Sequence, residues 1–373
     1  MADALALRMT SLLLAGRPGA AGDGAGAPAG VAEVVTWFGA MQGQDLGSVT
    51  WSLGARLPKF TADDVHAALE RREALRTWPM RGTVHLVPPR DARWMLDLMG
   101  VRTLAGAQKR RASLGLSEQD ADRAVELLGV ALAGGGRLTR SQCLQVLTEA
   151  GITASGPLGY HLLWYASQRG VICIAPNIGV EQSFALLDDW APAPHQPDHD
   201  EALATIALRY FRSHGPATRQ DLARWTGLTV TEAKRGITVA GDDLAAVQVC
   251  DQQMLVERAL LDAYTSAPAT ASRDDILALP GFDEYMLGYK DRSLMLAAEH
   301  MQAIVPGGNG VFQPTVVRGG RVVGTWKRSA ARGRTLVEVR PLVSLSAADR
   351  ARVEAALTPY AHFTGREVET RWS

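Results

Sequence analysis

The stretch SGPLGYHLLWYASQRGVICIAPNIGVEQSFALL, residues 155–187, carries the pattern on which the fold prediction depends. Its first half, Ser155–Gly170, has helical spacing and ends at a glycine, the residue that most often terminates a helix. Its second half, Val171–Leu187, has an apolar run on each side of a turn at Pro176–Gly179. This pattern predicts two strands joined in a β-hairpin.

Two more helices precede this stretch. Residues 117–132 and 138–151 are amphipathic, and each segment begins at a residue that favours the N-cap position, Ser117 and Thr139. Three helices followed by a β-hairpin is the order of a winged helix-turn-helix module.

The same order recurs on both sides of this module. Before it, the helix at Thr61–Leu75 is followed by an extended segment, Arg76–Pro89, with a turn at Met80–Gly82. After it, three helical segments within residues 200–241, the second with Thr218 as its predicted N-cap, precede alternating apolar residues at 245–258. The sequence therefore predicts an α+β, mainly α fold with three tandem winged helix-turn-helix modules, at residues 1–115, 116–190 and 198–262.

The last part of the chain changes character and predicts a C-terminal β-rich module at residues 270–373. Val316–Val317 and Val322–Val323 flank the turn Arg318-Gly319-Gly320-Arg321. Two glycines between β-branched residues are a strong signal for a two-residue hairpin. A final helix is predicted at Ala347–Leu357.

Composition excludes several classes of protein. The 373 residues carry 39 basic and 39 acidic side chains, so any nucleic-acid surface must be a local patch. Three widely spaced cysteines do not form a disulfide framework or a structural zinc motif. No apolar run reaches the length of a membrane span, and the N-terminus lacks the features of a signal peptide. We therefore expect a cytoplasmic protein without a membrane partner.

The sequence contains no P-loop, zinc-protease helix, serine nucleophile elbow or paired metal ligands, so we expect no metal and no organic cofactor. Asp283 and Glu284 are adjacent acids, but neighbours on a strand face opposite ways. We therefore do not predict that they share a catalytic site.

Two glutamines flank a glycine in MQGQDLGSVTWSLGARL, residues 41–57. On a helix Gln42 and Gln44 point in different directions, whereas on an extended segment they share a face. Gly43 disfavours helix, so a helix that ends near Gln42 would let both amides face one object. From spacing alone, a surface loop after a helix is the alternative.

The segments MQGQD, WSLGARL and RTWPMRGTVHLVPPRDARWML resemble the AlkZ/YcaQ family of winged-helix DNA glycosylases, as do LPGFDEYMLGYKDR and GGRVVGTWKR. The resemblance covers nearly the whole chain and implies tandem winged helices closed by a β-rich module. The family signature is Gln-Φ-Gln or Gln-Φ-Asp, where Φ is apolar. It falls here on Gln42-Gly43-Gln44, with glycine in the middle position.

The resemblance implies that Gln42 and Gln44 are catalytic and that the substrate is double-stranded DNA with an alkylated or crosslinked guanine. The two-glutamine form is similar to the AlkZ branch, which protects antibiotic producers by unhooking azinomycin-type interstrand crosslinks. Asp45 follows directly and is a candidate supporting carboxylate. We expect a monomer.

Candidate DNA contacts are arginines near turns. Arg76 and Arg81 flank the extended segment after the glutamines; Arg81 either reaches a phosphate or forms a salt bridge with Asp91 or Glu73. His85, which lies between two apolar residues, is either a structural residue or a supporting site residue. Arg318 and Arg321 bracket the hairpin turn and are candidates for contact with a DNA groove.

The rival hypothesis is a non-catalytic winged-helix regulator of transcription. The zero net charge and the lack of a heptad seam or other dimer element speak against it, because regulators usually dimerise on palindromic sites.

Overall fold

A computed structural model describes residues 2–15, 28–267 and 275–373. Residues 16–30 are rich in glycine and alanine, a composition that predicts a loop, and most of them lie outside the described residues. Helices prevail over strands in the described chain, as predicted.

The elements of the first half include a π-helical turn, Leu96–Gly100, between α5 and α6. In chain order they are α1 (Ala2–Ser11), α2 (Val31–Phe38), β1 (Met41–Gln42), α3 (Leu46–Gly54), α4 (Ala62–Glu70), β2 (Leu75–Met80), β3 (Thr83–Val87), α5 (Ala92–Met95), α6 (Val101–Ala105), α7 (Ala107–Ser113), α8 (Glu118–Ala131), β4 (Leu138–Thr139), α9 (Arg140–Glu149), α10 (Gly156–Gln168), β5 (Ile172–Ile178), β6 (Glu181–Leu186) and α11 (Leu187–Trp190).

The second half adds a β-ribbon and a larger sheet. Its elements are α12 (His199–His214), α13 (Arg219–Thr226), α14 (Val230–Ala240), β7 (Leu244–Val249), β8 (Gln252–Glu257), α15 (Arg258–Ser266), β9 (Ile276–Leu279), α16 (Glu284–Leu287), α17 (Met301–Ile304), β10 (Thr315–Arg318), β11 (Arg321–Ala331), β12 (Arg334–Pro341), α18 (Ala347–Ala356), α19 (Thr358–Thr364) and β13 (Glu367–Trp372).

The chain divides into two compact units. Unit 1 comprises residues 1–65 and 204–373, and unit 2 comprises residues 66–203. The boundaries fall inside α4 and α12, so they do not follow the four-module division, which stays a prediction. No described helix is long and apolar enough to cross a lipid bilayer.

Unit 2 is built on strands that lie in the order β3, β2, β5, β6, β4. β2 pairs with β5 through Arg76 and Ile174, and β5 pairs with β6 in the predicted hairpin. The helices α8, α9 and α10 cover this sheet, and their apolar faces share one core with Trp78 and Val84 from β2 and β3. The predicted order of helices and hairpin at residues 117–187 is present.

The third helices of the second and third predicted modules differ in burial. Residues 161–168 of α10 are all buried, so most of this helix cannot face a DNA groove. The helix α14 buries only Ala233, Gly236 and Ala240, and the rest of its surface is exposed or half-buried.

Unit 1 contains a sheet with the strand order β13, β12, β11, β10, β9 and a separate β7–β8 ribbon. The two-residue hairpin predicted at Gly319-Gly320 is confirmed, because Arg318 pairs with Arg321 and both glycines have positive φ. β12 and β13 are parallel, and the other pairs in this sheet are antiparallel.

Helix starts follow the predicted capping chemistry. The hydroxyls of Ser117, Thr139 and Thr218 each accept a hydrogen bond from a backbone N–H three residues on. At Thr139 and Thr218 the third residue returns the bond, which completes a capping box. Each cap satisfies backbone donors that a helix leaves unpaired.

One buried ion pair ties α3 to the segment before α16. Both guanidinium ends of Arg56 donate to the carboxylate of Asp283, at 2.9 and 3.0 Å, and neither side chain is more than 1% exposed. The Ser52 hydroxyl donates to the same carboxylate at 2.6 Å, and Asp283 also caps α16. The full set of partners offsets the desolvation of both charges.

Loss of one partner of this ion pair should destabilise unit 1 strongly. Asp283→Ala leaves the Arg56 charge buried without its counter-charge, so we expect the free energy of unfolding to fall by about 3–5 kcal/mol. The double variant Arg56→Met/Asp283→Ala should recover part of that loss. Urea denaturation measures both, and a double variant less stable than Asp283→Ala would contradict the account.

Candidate active site

The segment Gln42-Gly43-Gln44 lies in unit 1 between α2 and α3 and is not helical. The helix that was predicted to end near Gln42 ends earlier, at Phe38, because Gly39 takes a φ of 77° and closes it with a bond from its N–H to Val35. The short strand β1 follows. Asp45 then caps α3 by accepting from the Ser48 N–H at 2.6 Å.

The two glutamines have different surroundings. Gln42 is 9% exposed, whereas Gln44 is exposed. The Gln42 side-chain oxygen accepts a hydrogen bond from the Gln44 backbone N–H at 2.7 Å. Since a backbone N–H can only donate, the Gln42 atom at this position is the amide oxygen. The oxygen keeps a second lone pair for another donor.

A buried carboxylate fixes this segment from behind. The Gln42 backbone N–H donates to Oε1 of Glu284 at 2.7 Å. The other oxygen, Oε2, accepts from the indole of Trp225 at 2.9 Å and lies 3.3 Å from Nε2 of His214. Glu284 is 1% exposed, so these contacts replace the water that the carboxylate loses on burial.

These contacts keep Glu284 ionised. Burial acts to raise its pKa, but the hydrogen bond and charge of His214, the Gln42 N–H and the Trp225 indole outweigh burial, so the pKa is lowered. Aromatic rings enclose the group: His214 stacks on Tyr210 at 4.7 Å between ring centroids. Glu284 thus serves as a fixed acceptor.

The adjacent acids have separate roles. Asp283 turns to Arg56 and Glu284 turns to Gln42, and so the structure separates the two carboxylates, as the sequence analysis expected. The reason differs from the expected one. Asp283 is the N-cap of α16 and Glu284 is its first residue, so the pair does not lie on a strand.

Arg328 lies beside the first turn of α3, just after the Gln42-Gly43-Gln44 segment, and was not singled out from the sequence. Its Nη1 donates to the Tyr360 hydroxyl at 2.9 Å. A Cβ atom built on Gly47 would lie 2.5 Å from its Nη2, so the guanidinium occupies the space left at the first turn of α3. The available signal was the basic run Lys327, Arg328, Arg332 and Arg334, which lies on the β11–β12 hairpin.

Arg76 lies in unit 2, on β2, and is 7% exposed. No described residue forms an ion pair with it, and burial lowers its pKa to about 10. An arginine that is desolvated and uncompensated is a candidate for binding an anion. Its predicted DNA contact stays a prediction, and the burial limits it to the end of the guanidinium.

Arg81 lies on the β2–β3 turn, and His85 lies beside it on β3. Nδ1 of His85 lies 2.9 Å from the Thr83 carbonyl oxygen, so it carries the proton, and Nε2 accepts from Arg81 at 3.5 Å. Arg81 has a φ of 55° at the predicted turn. His85 is fully buried and orients Arg81, which favours the structural role among its alternatives.

The Arg318–Arg321 turn is packed against its own unit. The Gly320 carbonyl accepts from the Tyr285 hydroxyl at 2.7 Å, and a Cβ at Gly320 would lie 3.3 Å from Leu5. Arg318 pairs with Asp349 at 3.0 Å, while Arg321 is exposed. The DNA contact predicted for these arginines stays a prediction, and the packing leaves only side chains for it.

Among residues 2–15, 28–267 and 275–373, no group of three His, Cys, Asp or Glu side chains is placed to hold a metal ion. The polar groups of the Gln42 segment are the two amides, one capping carboxylate and one buried carboxylate. This set can position and polarise a reactant without a nucleophile of its own.

Comparison with known proteins defines the class of the chain as a DNA glycosylase. The profile of the family described as DNA glycosylase AlkZ-like matches residues 35–363. The chain belongs to the AlkZ-like family of DNA glycosylases. Enzymatic activity on DNA sets aside the rival hypothesis of a non-catalytic regulator.

Two further comparisons place the chain more closely. It is 33% identical over 272 residues to the interstrand DNA cross-link repair glycosylase of Streptomyces sahachiroi, covering 68% of this chain and 70% of that protein. The solved structure of Streptomyces sahachiroi DNA glycosylase AlkZ shares its fold, with a TM-score of 0.78 and 24% identity over 100% of this chain and 99% of that one.

The stability that Glu284 contributes should depend on pH. Its pKa is lower in the folded state than the ordinary value of 4.5, so its contribution is complete above 4.5 and is lost as the pH falls below that value. We expect the stability difference between the wild type and Glu284→Gln to stay constant above about pH 5 and to shrink as the pH falls below 4.5. Urea denaturation at each pH measures it, and a difference that stays constant across the whole pH range would contradict this account.

Proposed function

We propose that this glycosylase hydrolyses the N-glycosidic bond of N7-alkylguanine in double-stranded DNA and unhooks interstrand crosslinks of that type, in alkylation repair or self-resistance. The observation that carries the proposal is the Gln42-Gly43-Gln44 segment, whose backbone is fixed by the buried carboxylate of Glu284. The name of the Streptomyces sahachiroi relative supports the crosslink part.

The chemistry suits neutral amides. An N7-alkylated guanine is already cationic, so it leaves without strong acid catalysis. Breaking the bond builds positive charge on the sugar, as in other oxocarbenium-like hydrolyses. A fixed amide oxygen directed at that charge stabilises the transition state. A neutral lesion such as uracil lacks the cationic leaving group and should be a poor substrate.

The two glutamines divide the work. Gln42 uses one lone pair of its amide oxygen for the Gln44 N–H, which leaves the second for an attacking water or the developing sugar cation. Gln44 is exposed and can orient the water or the sugar. Asp45 supports them by capping α3, where one of its carboxylate oxygens accepts from the Ser48 N–H.

Arginines on each unit supply the phosphate contacts that we infer. Arg76 is a desolvated cation without an ion-pair partner among the described residues. Tyr360 holds Arg328 next to the first turn of α3. This turn begins two residues after Gln44. Arginine suits phosphate because its planar donors match two oxygens.

A crosslinked guanine is tethered to both strands and cannot rotate freely into a deep pocket. The exposure of Gln44 allows a catalytic amide to reach a base that stays within the duplex. The same exposure should reduce selectivity among cationic bases.

Removal of either catalytic amide should abolish base release. We expect Gln42→Ala and Gln44→Ala to lower the rate on an N7-methylguanine oligonucleotide by about 10²–10⁴-fold, because each removes a polar group at the developing charge. Alkaline cleavage of the abasic product measures release. Gln253→Ala, an exposed glutamine on β8, is the matched control.

The same assay with an N7-crosslinked duplex tests the finer substrate. Release from both substrates, lost in the two variants, supports the full proposal. Release of methylguanine alone would remove unhooking and keep the chemistry. Wild-type rates in both variants would show that the glutamines are not the site.

Arg76→Met should weaken DNA binding without weakening the fold. Methionine removes an uncompensated buried charge, so the thermal midpoint should not fall, while the slope of log K against log salt should become shallower by about 1. Fluorescence anisotropy with duplex DNA across a salt series measures the slope. Arg137→Met is the control, because Arg137 is neutralised by Glu70 at 2.8 Å; an unchanged slope for Arg76→Met would refute the phosphate role.

A further inference from the structure

Unit 2 contains a cleft that the proposed chemistry does not use. Its volume is about 590 Å³, within the range of sites that bind small organic groups. The residues that line it come from the β2–β3 turn, from α6 and α7, and from the first turns of α10.

One wall of the cleft is aromatic. Tyr160 and Trp164 are four residues apart on α10, so they lie on the same face of the helix. Tyr160 is 44% exposed and Trp164 is 9% exposed, so the wall has an open and a covered part. His161 lies between them in sequence, with its ring 5.3 Å from that of Trp164. Such a wall presents ring surface to a planar ligand.

His161 is the polar group of this wall, and its bonding is incomplete. It is 5% exposed, and its Nε2 has no hydrogen-bond partner. Burial and the nearby charges of Arg111 and Arg110 lower its pKa, so the ring is neutral at pH 7. A buried polar atom without a partner is uncommon and indicates a ligand that supplies one.

The part of the cleft lining that comes from α7 is basic and open. Arg110 is exposed, and no described residue forms an ion pair with it, whereas its neighbour Arg111 turns inward to Glu118 and the Tyr165 ring. Gly106 adds no side-chain volume to the lining, and a Cβ there would meet only a backbone oxygen, at 3.4 Å. The cleft therefore offers ring surface and a cation to the same ligand.

We propose that this cleft binds one unstacked nucleotide, with its base against Tyr160 and Trp164, a base heteroatom at His161 Nε2 and its phosphate at Arg110. Aromatic stacking and an arginine are the pair of features that hold single-stranded nucleotides in other proteins. The same chemistry is offered by a nucleotide in a DNA strand and by a free nucleotide; we infer the DNA strand, because the enzyme acts on DNA. This step rests on the proposed function for its duplex substrate.

The test uses 2-aminopurine, a fluorescent base whose emission falls when it stacks on an aromatic ring. The full-length protein is titrated into three probes: a duplex with an unpaired 2-aminopurine in a one-nucleotide bulge, the same duplex with that base paired, and free 2-aminopurine deoxynucleoside monophosphate. We expect quenching of the bulged probe by the wild type. Tyr160→Ala and Arg110→Ala should each lower the affinity measured by this quenching about tenfold, as expected for loss of one stacking or phosphate contact.

Matched variants separate stacking from folding. Tyr160→Phe keeps the ring and should restore quenching, while Arg123→Ala, which removes an exposed arginine of α8 outside the cleft, should leave it unchanged. Gln42→Ala should lose base release and keep quenching, so failure of the proposed chemistry and failure of the cleft give different results.

Quenching confined to the bulged duplex supports a nucleotide of the DNA strand. Equal Tyr160-dependent quenching of the free nucleotide would assign the cleft to nucleotides in general and overturn the DNA-strand assignment. Equal quenching of the bulged probe by the wild type and by Tyr160→Ala would overturn the proposal. So would a loss of quenching in Tyr160→Ala that is equal for the bulged and the paired duplexes.

Discussion

The hydrogen bond from the Gln42 backbone N–H to the Glu284 carboxylate is the constraint on which the candidate site depends. It joins residues 242 positions apart and fixes the chain where α2 has ended and α3 has not begun. A carboxylate can occupy this buried position only because Trp225 and His214 also contact it. The Arg56–Asp283 pair fixes the residue next to Glu284, so the carboxylate that holds the Gln42 backbone is itself held in place by a neighbouring buried ion pair.

This division between charged support and neutral contact fits the chemistry proposed for the enzyme. A carboxylate in front of a cationic base would bind the substrate strongly before reaction, whereas catalysis needs interactions that strengthen in the transition state. An amide oxygen attracts a cation less strongly than a carboxylate does, and a fixed backbone can direct it at the charge that develops on the sugar. The Glu284 carboxylate lies behind the backbone, where it restricts the motion of the segment and does not neutralise the charge of the substrate.

The sequence predicted the features that arise from local chemistry and missed those that arise from distant contacts. The caps at Ser117, Thr139 and Thr218 and the hairpin at Gly319-Gly320 depend on neighbouring residues alone, and they were found. The role of Glu284 could not be predicted, because its partners Gln42, His214 and Trp225 come from three remote segments. The burial of Arg76 could not be predicted for the same reason, because the exposure of a strand residue depends on which strands lie beside it in the sheet. Gly39, four residues before Gly43, ends the helix that we expected to continue to about Gln42.

The long separation between Gln42 and Glu284 also has a consequence during protein synthesis. Translation adds roughly 5–20 residues per second, so the 242 residues between the two partners take roughly 12–50 seconds to make. Throughout that interval a nascent chain carries both glutamines but lacks the carboxylate that fixes them. Premature termination after residue 44 and before residue 284 therefore yields a polypeptide with the signature motif intact and without the acceptor that shapes it.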